Sequence, residues 1–155
     1  VGMPVPAIPE GLSKGVIDGT TIPWEVTPSL KVPELVKNHT EFDGAALYTL
    51  TFVLAMNKDR YDGLSDELKK VLDENSGLEF SVFAGGTQAD ADGPARQVAV
   101  DLGNNIVELN EEETQVWRDA SQPIYDSWIA DMDSKGIDGQ ALIDEARELM
   151  DAYGK

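Results

Sequence analysis

Strand-forming sequence is scarce in this chain, and that scarcity limits the folds open to it. Only Ala45–Met56, rich in Leu, Tyr, Thr, Phe and Val, and the short run Ile106–Leu109 read as strands. The remaining patterned sequence is helical. Ser65 predicts a helix start, with Asp66 and Glu67 at its positive end, Leu68, Val71 and Leu72 as its apolar stripe, and Gly77 as its stop. A second helix is expected within Leu78–Leu102, weakened by Gly85-Gly86 and Gly93-Pro94 and ended by Gly103. Asn110 with Glu113 forms a capping-box pattern, and Val116, Ala120, Ile124 and Trp128 then share one helix face, with Pro123 predicting a kink. A last helix over Gln140–Tyr153 places Leu142, Ala146, Leu149 and Tyr153 on one stripe. The fold class is therefore α/β, but two strands are too few for a complete doubly wound sheet. The chain reads as part of something larger.

The N-terminal third is punctuated by proline. Pro4, Pro6 and Pro9 make Val1–Pro9 extended or an edge strand and argue against a helix there. A short helical turn over Glu10–Lys14 is closed by Gly15, and Asp18-Gly19 marks a turn flanked by β-branched residues. From Pro23 to Val36, Pro28 and Pro33 limit the chain to short helical pieces.

Charge narrows the partners. Twelve basic residues against 29 acidic ones give a net charge of −17, which repels phosphate backbones and anionic lipid, so nucleic acid is excluded as a partner. The acids are spread along helices, as on a solvated surface. There is no cysteine, which rules out disulfides and thiolate metal sites. The longest apolar run, around Leu50–Met56, is too short to cross a bilayer. A first residue that is not Met, in mid-pattern, reads as a processed or truncated start.

Motifs for catalysis are missing. The single histidine, His39, lies in the polar stretch Lys37-Asn38-His39-Thr40 without a Gly-x-Ser-x-Gly elbow anywhere, and reads as a solvated loop residue rather than a triad member. Asp90-Ala91-Asp92-Gly93 lacks the bidentate acid that would complete a calcium loop, and Gly85-Gly86 is no phosphate cradle. Among 29 carboxylates no chosen pair carries a signal for glycoside hydrolysis. No enzyme, metal or cofactor is therefore expected. Trp117 and Trp128 read as helix-packing residues. Trp24, in an irregular Pro-rich segment after a turn, reads either as a plug beneath the loop or as a wall of a ligand cleft.

Ordered blocks of residues carry a family resemblance. Gly15-Val16-Ile17-Asp18-Gly19, with Val1-Gly2-Met3-Pro4-Val5-Pro6 before it and Leu12 between, resembles "Gly-Ala-x-Pro-Val … Ala-Leu-x-x-Gly-Val-Val-Asp-Gly". That block belongs to the dicarboxylate-receptor family of solute-binding proteins, which serve tripartite ATP-independent periplasmic (TRAP) transporters. Val36-Lys37-Asn38-His39-Thr40 is similar to the family's "Val-x-Lys-Tyr-His-Thr". Phe52-Val53-Leu54-Ala55-Met56-Asn57 and Tyr61-Asp62-Gly63-Leu64-Ser65 are similar to "Phe-x-x-x-x-Asn" and "Trp-Asp-x-Leu-Pro". The blocks keep the family's order and spacing over essentially the whole chain.

The resemblance implies the C-terminal half of a two-lobed periplasmic binding protein, residues 1–155 contributing to both lobes and the hinge. Helices would pack on a mixed sheet, and the C-terminal helices would be long. It implies an organic acid carried, without chemistry, to the membrane subunits of a TRAP transporter, from the periplasm and after removal of a signal peptide. The implied ligand-binding residues are Val5, Thr21, Ile22, Trp24, Tyr48 and Phe52. Val5 aligns where some relatives place an aromatic against the ligand, and Tyr48 and Phe52 lie on the strand Ala45–Met56 that the resemblance places near the hinge. The family's carboxylate-binding arginine precedes the first block, and none of Arg60, Arg96, Arg118 or Arg147 matches its motif. Where many relatives have Gln-Glu-Asn-Pro, this chain has Thr20-Thr21-Ile22-Pro23 followed by Trp24. A more apolar pocket follows, suited to an aromatic or branched monocarboxylate. The competing reading is a non-binding fragment or acidic interaction domain that joins the missing N-terminal half or a second copy.

Overall fold

The computed structural model of the chain describes residues 1–42, 44 and 47–153. Its elements begin with a 3-10 turn over Val5–Ala7 that runs into helix α1, Ile8–Ser13. The expectation that proline keeps Val1–Pro9 out of a helix is overturned here. Proline occupies the first turn of both elements, where the N–H it lacks has no intrahelical acceptor. Gly15 then takes a left-handed φ of 65° and its N–H donates to Leu12 O at 3.2 Å, closing α1 as Gly15 was expected to.

The segment after Pro23 consists of short pieces, a 3-10 turn over Trp24–Val26 and helix α2 over Val32–Leu35. Strand β1 follows at Asn38–Phe42. Sequence reasoning missed it, because its residues are polar and its buried face is made by His39 and Glu41 rather than by aliphatic side chains. The expected strand Ala45–Met56 is not formed. Ala45 and Ala46 lie outside the described residues, and residues 48–57 carry no regular secondary structure. Phe52, Val53 and Leu54 are more than two-thirds exposed. The composition is that of a strand, but a strand needs a ladder partner, and the described sheet consists of two other strands.

Helix α3 is Lys58–Asp62 and α4 is Asp66–Glu74, the latter capped by Ser65 Oγ accepting from Leu68 N. Helix α5 runs unbroken from Leu78 to Asp101, through Gly85-Gly86 and Pro94. Strand β2 is Asn105–Leu109. Helix α6, Glu111–Ser134, starts on a complete capping box. Asn110 Oδ1 accepts from Glu113 N and Glu113 Oε2 from Asn110 N, each at 3.0 Å. Helix α7 is Gly139–Tyr153. The mixed sheet expected of the whole fold is represented here by β1 and β2, which pair in parallel.

The chain divides into two compact units, Val1–Glu41 with Tyr48–Val107, and Phe42–Leu47 with Glu108–Lys155. In the first, α5 packs on the Trp24–Val26 turn and on α2, and α1 packs on α2. Ile8, Val32, Ala95 and Ala99 supply the buried apolar side chains. In the second, α6 packs on α7, with Gly139 set close against Ile129 of α6, and the Phe42 ring meets Trp117 edge-on at 5.6 Å.

Candidate ligand-binding site

Two features of the first unit have the chemistry of a site. The first is an open groove of about 570 Å³ formed where the N-terminal segment meets the turn after α1. Met3, Val5, Ile8, Val16 and Ile17 give it apolar walls, and Asp18, Gly19, Thr20 and Thr21 a polar edge. Gly11 makes the close approach possible, since a Cβ there would stand 3.2–3.3 Å from the Ile17 side chain and Met3 Sδ. Among the described residues no Lys or Arg side chain lines the groove.

The second feature is built on Trp24. Its indole N–H donates to Glu41 Oε1 at 2.9 Å. Arg96, on α5, grips the same carboxylate with both ends of its guanidinium, Nε to Oε1 at 2.8 Å and an Nη to Oε2 at 2.9 Å. The 3-10 turn, β1 and α5 are thereby joined through one carboxylate. The Arg96 hydrogen bonds hold the Glu41 carboxyl below its ordinary pKa, against the upward pull of partial burial. Beside it, Glu25 N donates to Asp92 Oδ1 of α5 at 3.0 Å, and burial pushes the Glu25 carboxyl upward.

His39 lies against the Trp24 ring, centroids 4.9 Å apart and planes at 32°. The solvated-loop reading of this histidine is thus corrected. It is half-buried on β1, and burial lowers its pKa. Asn104 completes the arrangement. Its Oδ1 faces Lys37 Nζ at 3.5 Å, so its Nδ2 donates to Pro33 O at 2.7 Å and to His39 Nε2 at 3.1 Å. A histidine accepting at Nε2 is neutral, with its proton on Nδ1. Sequence could not have joined His39 to Asn104, because 65 residues separate them.

Of the six residues singled out from sequence, Val5 and Thr21 come together in the groove. Ile22 is half-buried beside it in sequence, and Trp24 holds the centre of the second cluster. Tyr48 and Phe52, 41% and 68% exposed, do not line the groove. Among the described residues, no group of three or more His, Cys, Asp or Glu side chains is arranged to hold a metal ion. Nor is any described helix long and apolar enough to cross a membrane.

Residues 2–131 match the family model for bacterial extracellular solute-binding proteins, family 7. The chain belongs to that family. Its solved relatives are TRAP solute-binding proteins. One from Rhodoferax ferrireducens, in complex with copurified benzoate, is 46% identical and superposes with a TM-score of 0.93 over 99% of this chain and 48% of its own. A second, from a marine metagenome and specific for aromatic acid ligands, was solved with 3-hydroxybenzoate. It is 43% identical, with a TM-score of 0.93 over all of this chain and 49% of its own. A third, from Bordetella bronchiseptica with bound mandelate, is 27% identical, with a TM-score of 0.75 over 91% of this chain and 44% of its own. The outer membrane transporter protein TsaT of Comamonas testosteroni is 27% identical over 92% of this chain and 44% of its own length. The family and these structures are binding proteins, and the chain spans about half the length of the relatives it matches. The α/β solute-binding fold expected from the ordered sequence blocks is thus the fold observed.

Proposed function

We propose that the protein to which this chain contributes captures an aromatic carboxylate in the periplasm and delivers it, unchanged, to the membrane subunits of a TRAP transporter. One observation carries the reading. Over essentially its full length the chain shares its backbone, at a TM-score of 0.93, with one receptor holding benzoate and another holding 3-hydroxybenzoate. The local chemistry agrees. Met3, Val5, Ile8 and Ile17 offer a groove that an aromatic ring can fill, and Ile22 and Trp24 follow its polar edge in sequence. No described Lys or Arg side chain lines the groove, and the arginine proposed to meet the ligand's carboxylate lies outside these 155 residues.

Val5, Thr21, Ile22 and Trp24 are the contacts proposed for the ring, with Tyr48 and Phe52 proposed to join them from the segment that the family resemblance places near a hinge. Calorimetric titration of the complete receptor tests the reading. Benzoate and 3-hydroxybenzoate bind more tightly than succinate or malate, and methyl benzoate incubated with the receptor is recovered intact. A receptor that prefers succinate, or that releases benzoate from the ester, overturns it.

A further inference from the structure

The cluster around Trp24 suggests how the proposed site sets its specificity. Trp24 has one polar group, the indole N–H, and Glu41 takes it at 2.9 Å. Glu41 is itself fixed at both oxygens by Arg96, at 2.8 and 2.9 Å, so it cannot swing away without breaking two charge-assisted hydrogen bonds. His39 covers part of the ring. Trp24 nevertheless remains only half-buried. What it still exposes is aromatic surface on a side chain with no donor left to offer.

We infer that Glu41 and Arg96 are positioning residues that hold Trp24 as a rigid, hydrogen-bond-silent wall, and so bias the site toward an unsubstituted aromatic face. The inference rests on the reading that Trp24 lines the ligand cleft. The physical reason is twofold. A ring already fixed before binding loses little rotational freedom when ligand arrives. A satisfied N–H also cannot reward a ligand hydroxyl, whereas a released one can. Arg96 is thereby given a task distinct from binding the ligand's carboxylate, because its guanidinium is already engaged by Glu41.

The test is a double-mutant cycle in the complete receptor, with benzoate and 3-hydroxybenzoate as probes. Glu41→Met keeps much of the bulk of the side chain but removes both oxygens, the acceptor of the indole N–H and the pair that Arg96 grips. It lowers benzoate affinity about tenfold, the scale of a lost charge-assisted hydrogen bond, and shifts the benzoate to 3-hydroxybenzoate ratio toward the hydroxylated acid. Trp24→Phe keeps a ring without the N–H, and in that background Glu41→Met changes benzoate affinity less than twofold. Arg96→Lys, which cannot span both carboxylate oxygens and so loosens Glu41, repeats the shift in ratio and carries the test if Glu41→Met does not fold. Equal weakening of both ligands, or the same effect of Glu41→Met in the two backgrounds, overturns the positioning role. If Trp24→Ala leaves benzoate affinity unchanged, Trp24 is no wall and the inference falls, while benzoate binding by the unaltered receptor leaves the proposed function standing.

Discussion

Trp24 and His39 face one another with ring centroids 4.9 Å apart, and each is held by residues distant in sequence, Trp24 by Glu41 and His39 by Asn104. Replacing Trp24 with Ala in the complete receptor is expected to weaken benzoate binding by roughly 1–3 kcal/mol, the scale of a lost large apolar contact, as measured by titration. His39 contributes to the pH response between pH 7 and pH 5. Its folded pKa is lowered by burial, against the opposing pull of Glu41, so the unfolded chain binds the proton more readily. The His39 contribution to stability is therefore fully present above pH ~6.5, the ordinary histidine pKa, and is lost as the pH falls through the folded value. Glu41, also lowered, acts in the same direction below pH ~4.5. Glu25, raised by burial, acts oppositely and loses stability as the pH rises above ~4.5. Melting curves from pH 7 to pH 5 should show a decline that His39→Gln removes.

Helices were legible wherever their signals were local. The capping box at Asn110 and Glu113, the cap at Ser65 and the stop at Gly15 each need only a few neighbouring residues, and all three are present. Strands were not legible in this way, since pairing is decided by what lies alongside. Ala45–Met56 has strand composition, yet its residues 48–56 carry no regular secondary structure, while Asn38–Phe42 has polar composition and pairs with β2. One helix contact went unforeseen. A Cβ on Gly139 would lie 2.9 Å from Ile129 Cα and 3.1 Å from Ile129 O, both backbone atoms with little freedom to yield. Gly139→Ala should push α7 off α6 and cost about 1–3 kcal/mol, as overpacking does, whereas Gly85→Ala, with nothing within 4 Å, should be tolerated. Comparing the two denaturation midpoints checks the difference.

Leu78, Val82 and Phe83 on α5, with Val116 and Ile124 on α6, are each more than 60% exposed. Covering even ~300 Å² of such surface is worth about 7–8 kcal/mol at 25 cal/mol per Å², much of a typical domain's ~5–15 kcal/mol. The isolated chain should accordingly scatter light as a species heavier than its 16.8 kDa, joined to a second copy or to the other half of its receptor. A monodisperse monomer would contradict that expectation. The net charge of −17 keeps either species soluble without shielding its apolar faces.

The pairing of β1 with β2 also orders events in time. It joins Lys37 to Asn105, and the grip of Arg96 on Glu41 closes a loop of 55 residues, whereas α6 and α7 are consecutive helices that meet through a short turn. Contacts near in sequence form early and distant ones wait for chain closure. The helical hairpin at the C-terminal end is thus expected to fold early and the surroundings of Trp24 late, an order that pulse-labelled hydrogen exchange during refolding would reveal as earlier protection in α6 and α7.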